Sequence, residues 1–279
     1  MAAFSASDAA LEGFQVLRRH WRVAVGWCLF SVIGFVALLV AAFVAILVAS
    51  LTASSRDAAT AAGGVLGGLI FGLGALGVEL MVVTALYRLM LRPETPPGMF
   101  YLRISRDEAR LLALWVVLVA GLGAAGAAGY GLVSLLGRFG GLASGAGVLV
   151  LLLALAWLLL RLSLAGPANL ATRRLGIVQS WRLTRGRVWA TAGAALIATC
   201  LFALLAVVVW IATFVIQAAI GGFHSFAPVD LSDPQALAER PGAYAFGMLA
   251  ELALGPIYWV IAAAPFAAIY RTLSAAEPA

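Results

Sequence analysis

Residues 23–50 read VAVGWCLFSVIGFVALLVAAFVAILVAS, a run without a charged side chain in which two serines are the only hydroxyl groups. An α-helix rises about 1.5 Å per residue and a bilayer core is about 30 Å thick, so about 20 apolar residues cross it. The run follows Arg18, Arg19 and Arg22, as a secretory signal would. It outlasts the apolar core of about 7–15 residues that a signal peptide carries, and so predicts an uncleaved first membrane helix over about 24–50.

Five further runs meet the same length test: about 63–91, 110–136, 142–165, 188–220 and 243–270. The 279 residues are 64% hydrophobic and 11% charged, with a mean hydropathy of +1.05, a balance outside the range of soluble domains. The expected fold class is all-α: a polytopic membrane helix bundle of six transmembrane helices, forming a single membrane domain over 1–279. The net charge of +6 would suggest nucleic acid in a soluble chain, but here the charges fall in short breaks between apolar runs. All eighteen basic residues are arginine, which reads as the coding bias of a GC-rich bacterium. Cys28 and Cys200 lie inside apolar runs without metal-ligand spacing and read as packing residues.

The arginines orient the chain. Fifteen of the eighteen fall in the N-terminal arm, the breaks after the second and fourth spans, and the C-terminus; the other breaks carry Arg56, Arg138 and Arg240. By the positive-inside rule both termini and the two long basic breaks are expected in the cytoplasm, and the whole chain in a bacterial inner membrane. In the loop GGFHSFAPVDLSDPQALAERPG, Asp233 and Pro234 look like the N-cap and first-turn residue of a short helix.

Similar phrases recur. YRLMLRP (87–93), LRLSLAGP (160–167) and YRTLSAAEP (270–278) follow the even-numbered spans, and FQVLRRHWR (14–22), FYLRISRDEAR (100–110) and WRLTRGRVW (181–189) precede the odd-numbered ones. The second set recurs at intervals of about eighty residues, suggesting three copies of a basic interfacial helix followed by a helical hairpin.

The segment 169–193, NLATRRLGIVQSWRLTRGRVWATAG, is the most basic of these. If Ala171 to Trp189 is helical, Leu175, Val178, Trp181 and Val188 share a face, with Arg173, Arg174 and Arg187 mostly away from it. Arg185 interrupts the apolar stripe, so either a bend at Gly186 or a snorkelling Arg185 side chain is expected. Such a helix would seat its aromatic and aliphatic groups at a headgroup boundary and its guanidinium groups on phosphate. No acid occurs between Glu108 and Asp230, while eight arginines do. Their counter-charge is sought in lipid phosphate, a distant acid, a ligand or a protein partner on the cytoplasmic face. The candidate lipid- or anion-binding residues are therefore Arg173, Arg174, Arg182, Arg185, Arg187, Trp181 and Trp189, with anionic phospholipid the expected partner. Nucleic acid is not expected, since neither a soluble fold nor a base-stacking platform accompanies the charge.

Within the spans, Glu79 and Glu251 are the two acids, and Arg161 sits at the end of the fourth span as a possible partner for Glu79. They support either a proton, cation or substrate site or a structural pairing. Gly64, Gly68 and Gly72 form a G-x-x-x-G-x-x-x-G ridge for close helix approach, and Pro256 and Pro265 invite a kink in the sixth span. His20 and His224 are the only histidines, no H-E-x-x-H occurs, and GLASGAG (141–147) lacks the glycine order of a serine-protease loop. No catalytic residue, metal or cofactor is expected.

LSLAGPANLATRRLGIVQSWRLTRGRVW, with its proline, variable basic stretch and S-W-R-L-T-R-G-R-V-W close, resembles bacterial integral membrane proteins related to the membrane domain attached to some glycerophosphodiester phosphodiesterases. Pro265, Tyr270 and Arg271 in APFAAIYRTL are similar to the closing residues of that group. The resemblance implies a six-helix inner-membrane protein and, because the catalytic barrel is absent, no phosphodiesterase activity. The expected function is non-enzymatic: binding lipid or scaffolding envelope components through the arginine-rich face. The alternative is a small transporter or channel using Glu79 and Glu251.

Overall fold

The computed structural model describes residues 6–92, 100–221 and 239–275. Among them the helices are α1 (Ala6–Arg19), α2 (Trp21–Thr52), α3 (Arg56–Leu91), α4 (Arg106–Leu136), α5 (Gly141–Leu162), α6 (Ala165–Thr172), α7 (Ile177–Leu183), α8 (Val188–Gly221) and α9 (Pro241–Ala275), with a 3-10 turn at Gly137–Phe139. Among the described residues six segments are long and apolar enough to cross a membrane: Trp21–Thr52, Arg56–Leu91, Arg106–Phe139, Gly141–Thr172, Val188–Ile220 and Pro241–Ala275. Each contains one of the six expected spans, and the chain is an all-α, multi-pass membrane protein. Lipid contact explains why Leu29, Ile33, Val40, Phe43 and Leu51 of α2 are each more than half exposed. Asp233 and Pro234 lie outside the described residues.

The chain packs as two compact units, one comprising Met1–Glu12, Thr84–Ile197 and Ala264–Ala279, the other Gly13–Val83 and Ala198–Ala263. In the second unit, α2 and α3 meet at glycines, but not at the expected ridge. A Cβ on Gly63 or Gly67 would stand 3.4 and 3.0 Å from Ile46, and one on Gly74 would collide with Leu38, whereas Gly64, Gly68 and Gly72 face open space. One residue is about 100° of helix rotation, and Ile46 and Leu38 select the neighbouring row. Gly13 makes the closest backbone approach in this unit: a Cβ there would lie 2.8 Å from the Cα of Ile261. The helix α9 opens with Pro241 and runs unbroken through Pro256 and Pro265.

In the first unit a core of Ala9, Leu164, Ala168, Leu183, Ala194, Ile269, Tyr270 and Leu273 is sealed by Leu91 and Phe266. Two details depart from the repeat pattern. Residues 100–110 do not form a separate helix, because Ser105 caps α4 and the basic residues from Arg106 onward become its own first turns. Nor is Ala171 to Trp189 one helix. α6 ends at Thr172, Arg173 and Gly176 adopt left-handed backbone (φ 58° and 71°), α7 spans seven residues, and Gly186 (φ 77°) turns the chain into α8. At Gly176 glycine is required by space as well, since a Cβ would lie 2.5 Å from the Ala165 carbonyl oxygen. The bend at Gly186 is as expected; the break at 173–176 divides the segment earlier.

Candidate anion-binding site

The arginine-rich side of the first unit is organised around a buried cation. Arg88, in the last turn of α3, is 2% exposed. Its Nη1 donates to the carbonyls of Tyr101 (3.1 Å) and Arg103 (3.4 Å), and its Nη2 donates to Ser105 Oγ (2.8 Å). Nη2 also lies 2.6 Å from Glu108 Oε1 and 3.6 Å from Asp107 Oδ2. One guanidinium thus holds the whole turn from Tyr101 to Glu108. Phe100 and Tyr101 both sit in the left-handed region, φ 57° and 63°, a conformation that costs a non-glycine residue about 1–2 kcal/mol. The Arg88 bond to the Tyr101 carbonyl is one interaction that holds them there.

Ser105 is fully used: its hydroxyl donates to Glu108 Oε2 (2.8 Å) and accepts from Arg88 and from the Asp107 amide (3.1 Å). Glu108 Oε2 in turn accepts from the Ser105 amide at 2.8 Å, closing a reciprocal cap on α4. Asp107 faces three guanidinium groups, those of Arg88 (3.6 Å), Arg92 (3.6 Å) and Arg110 (3.5 Å). Its charge is divided among them.

Around this turn a small pocket of about 230 Å³ is lined by Arg92, Arg103, Ser105, Arg106, Asp107, Arg110 and Arg173. Five arginines and one carboxylate therefore line it, and of the five Arg92 and Arg110 pair with that carboxylate. Two bonds bring α6, with Arg173 at its end, to this place: Arg92 donates to the Leu170 carbonyl, and buried Asn169 Nδ2 donates to the Arg110 carbonyl at 3.2 Å. Gly166 lets the Tyr87 hydroxyl approach to where a Cβ would stand 3.0 Å away. Arg173 occupies the left-handed residue after α6, a position that glycine usually fills.

Directly following in the chain is an amphiphilic groove of about 830 Å³, lined by Thr172, Arg174, Leu175, Gly176, Ile177, Val178, Gln179 and Arg182. Val178 and Leu175 are exposed there, while the opposite side of α7 buries Ser180 and Leu183. Beside it Arg161 is held between two indoles, 5.1 Å from each of the Trp157 and Trp181 ring centroids, and the rings themselves meet edge-on at 5.4 Å. Its Nη1 donates to the Trp181 carbonyl and Thr184 Oγ1 at 3.4 and 3.5 Å, and the Ser180 hydroxyl donates back to the Arg161 carbonyl at 2.7 Å. Two aromatic faces, the Trp181 carbonyl and the Thr184 hydroxyl answer this charge.

The residues singled out by sequence divide accordingly. Arg173 lines the pocket, Arg174 and Arg182 line the groove, and Trp181 clasps Arg161. Arg185, Arg187 and Trp189 are exposed around the Gly186 turn and line neither cavity. Glu79 is half-buried in α3 without a hydrogen-bond or ion-pair partner among the described residues. From sequence, Arg92, Arg103, Arg106 and Arg110 count toward the orientation, the last three also toward an interfacial helix and Arg110 toward the acid-free stretch, but none is among the candidate anion-binding residues. The readable signal was S-R-D-E at 105–108, the pattern of a reciprocal helix cap, which fixes where the following arginines point. Chemically, the arrangement is a fork of guanidinium donors suited to a phosphate-type anion, next to a groove suited to an apolar tail. Compared with protein-family models, curated proteins and solved structures, the chain matches none.

Proposed function

We propose that the protein is a non-enzymatic bacterial inner-membrane protein that holds an anionic phospholipid, with both termini and the arginine-rich face in the cytoplasm. The observation that carries this reading is the pocket in which five arginines line the walls and one carboxylate, already divided among three guanidinium groups, offsets them. Like charges gathered this closely repel, and a phosphate group relieves that repulsion while accepting several charge-assisted hydrogen bonds. The adjoining groove supplies Leu175, Ile177 and Val178 for a glycerol backbone or acyl segment, with Arg174 and Arg182 at its rim.

The fifteen-to-three distribution of arginines supports the orientation, and the positive face then meets the anionic lipid of the inner leaflet. Native mass spectrometry of the detergent-purified protein tests the reading. Wild type is expected to retain anionic phospholipid over zwitterionic, and an Arg103→Ala, Arg106→Ala variant to lose it. Anionic lipid content unchanged in that variant would sink the proposal. Displacement by inorganic phosphate alone would identify a free anion, not a lipid, as the occupant.

A further inference from the structure

The second compact unit contains an open pocket of about 530 Å³ between α8 and α9, lined among others by Phe202, Trp210, Phe214, Gln217, Glu251 and Tyr258, with Trp210 and Glu251 exposed at it. Glu251 and Tyr258 are two turns apart and share a face of α9; Trp210, Phe214 and Gln217 follow one another at four and three residues on α8. Phe202 and Tyr258 meet edge-on at 5.4 Å between the two helices, and Trp210 and Phe214 lie nearly parallel, 5.9 Å apart and inclined by 13°.

Three polar groups line this cavity without a hydrogen-bond or ion-pair partner among the described residues: the Glu251 carboxylate, the Gln217 amide and the Tyr258 hydroxyl. The contrast with Thr213 on the same wall is direct, since its hydroxyl donates to the carbonyls of Val209 and Trp210, both at 2.9 Å. All four lie in segments long and apolar enough to span a membrane. There an uncompensated carboxylate is costly, and side chains that bear such a cost usually face an interior or a polar opening.

What could answer these groups is narrowed by the surroundings. An anion is repelled by Glu251. A hard metal ion such as calcium takes about 6–8 oxygen ligands, more than three unpartnered groups supply. A diffuse organic cation fits both features at once, because aromatic faces attract cations and apolar walls accept the body that carries the charge. We propose that this cavity binds a lipophilic organic cation, an ammonium or phosphonium centre on an apolar or aromatic body. Glu251 supplies the counter-charge, Phe202, Trp210, Phe214 and Tyr258 the π-rich walls, and Gln217 a polar contact. The site shares no residue with the arginine pocket and stands or falls independently of it.

Calorimetric titration of the purified protein with tetraphenylphosphonium tests this, with triphenylphosphine oxide as an uncharged compound of similar bulk. Saturable binding of the cation is expected, weakened about tenfold or more in Glu251→Gln, a change equivalent to about 1.4 kcal/mol. The uncharged compound is expected to bind wild type at least about tenfold more weakly than the cation, a comparison that needs no variant to fold. Equal affinity for the two compounds, equal affinity in Glu251→Gln verified as folded by its melting profile, or no saturable binding would each overturn the proposal.

Discussion

The Arg88 guanidinium lies 2.6 Å from the Glu108 carboxylate although the arginine is only 2% exposed, so the centre of the most basic region of the chain is a buried ion pair. The pair is ionic without being a well-aligned hydrogen bond: Glu108 Oε1 and Arg88 Nε are both left without a hydrogen-bond partner. The arrangement explains how a turn containing Arg103 and Arg106 can be held rigid while their side chains stay available. Arg88 is not one of the anion-pocket arginines; it sets the turn that displays them.

The losses from removing each partner of that pair should therefore not add. Arg88→Met leaves Glu108 with an uncompensated, largely buried charge, while Asp107 keeps Arg92 and Arg110, and a loss of about 3–5 kcal/mol is expected. Combining Arg88→Met with Glu108→Gln should destabilise by less than the sum of the two single changes, with a coupling of about 0.5–3 kcal/mol. Reversible unfolding in mixed micelles measures all three variants. Strict additivity would mean that the two residues do not act as a pair.

Arg173 separates stability from binding. Its left-handed backbone costs a non-glycine residue about 1–2 kcal/mol, while glycine adds flexibility to the unfolded chain worth about 0.5–1 kcal/mol. Arg173→Gly is accordingly expected to be as stable as wild type or slightly more so, yet to hold less anionic lipid, because it removes one of the five arginines of the pocket. Melting temperature and bound-lipid content, measured on the same preparation, check both halves. A clear loss of stability would show that the side chain has a structural role.

The six spans were legible because each is a continuous apolar run, and length against bilayer thickness needs no tertiary information. The glycine register was not. The rows through Gly63 and Gly67 and through Gly64, Gly68 and Gly72 satisfy the same small-residue spacing, and only the positions of Ile46 and Leu38 on the facing helix choose between them. The arginine pocket was half legible. Arg173 was flagged by local charge density, but Arg92, Arg103, Arg106 and Arg110 lie 63 or more positions earlier in the sequence, and contacts of α6 unite them with it. The left-handed backbone at Arg173 had no compositional signal, since glycine is what such a position ordinarily shows. The Glu251 cavity was foreshadowed by the rarity of an acid inside a span, whereas the aromatic side of it required knowing that α8 faces α9.

The Arg161 clasp predicts that Trp157 and Trp181 matter as rings. Trp157→Leu removes one cation–π contact and one edge-on aromatic pair, and should cost about 1–2 kcal/mol, with a shift in indole fluorescence as Trp181 loses its neighbour. Arg161→Lys keeps the charge but not the flat, weakly hydrated guanidinium, so it should lose stability too, though less than Arg161→Leu, which also removes the donor to the Trp181 carbonyl. If lysine were fully equivalent to arginine in micelle unfolding, charge alone would account for the site and stacking would be irrelevant.

Gly176 offers the most exacting local test, because both its torsion and its surroundings demand glycine. With φ at 71° and a Cβ placed 2.5 Å from the Ala165 carbonyl oxygen and 2.7 Å from the Asn169 amide nitrogen, alanine has no way to fit without separating α7 from α6. Both obstructing atoms are backbone, so no side-chain rotation relieves them. That separation would also disturb Asn169, whose side chain ties α6 to the Arg110 carbonyl at the arginine pocket. Gly176→Ala is thus expected to lose more than the about 1 kcal/mol of a left-handed backbone penalty alone, and to lose bound anionic lipid with it. Gly186→Ala is the matched comparison: its φ of 77° is equally left-handed, but nothing lies within 4 Å of a Cβ there. It should show the torsional penalty and retain its lipid. Micelle unfolding and bound-lipid measurements on the two variants distinguish strain from collision, and equal losses in both would show that the α6–α7 junction does not position the pocket.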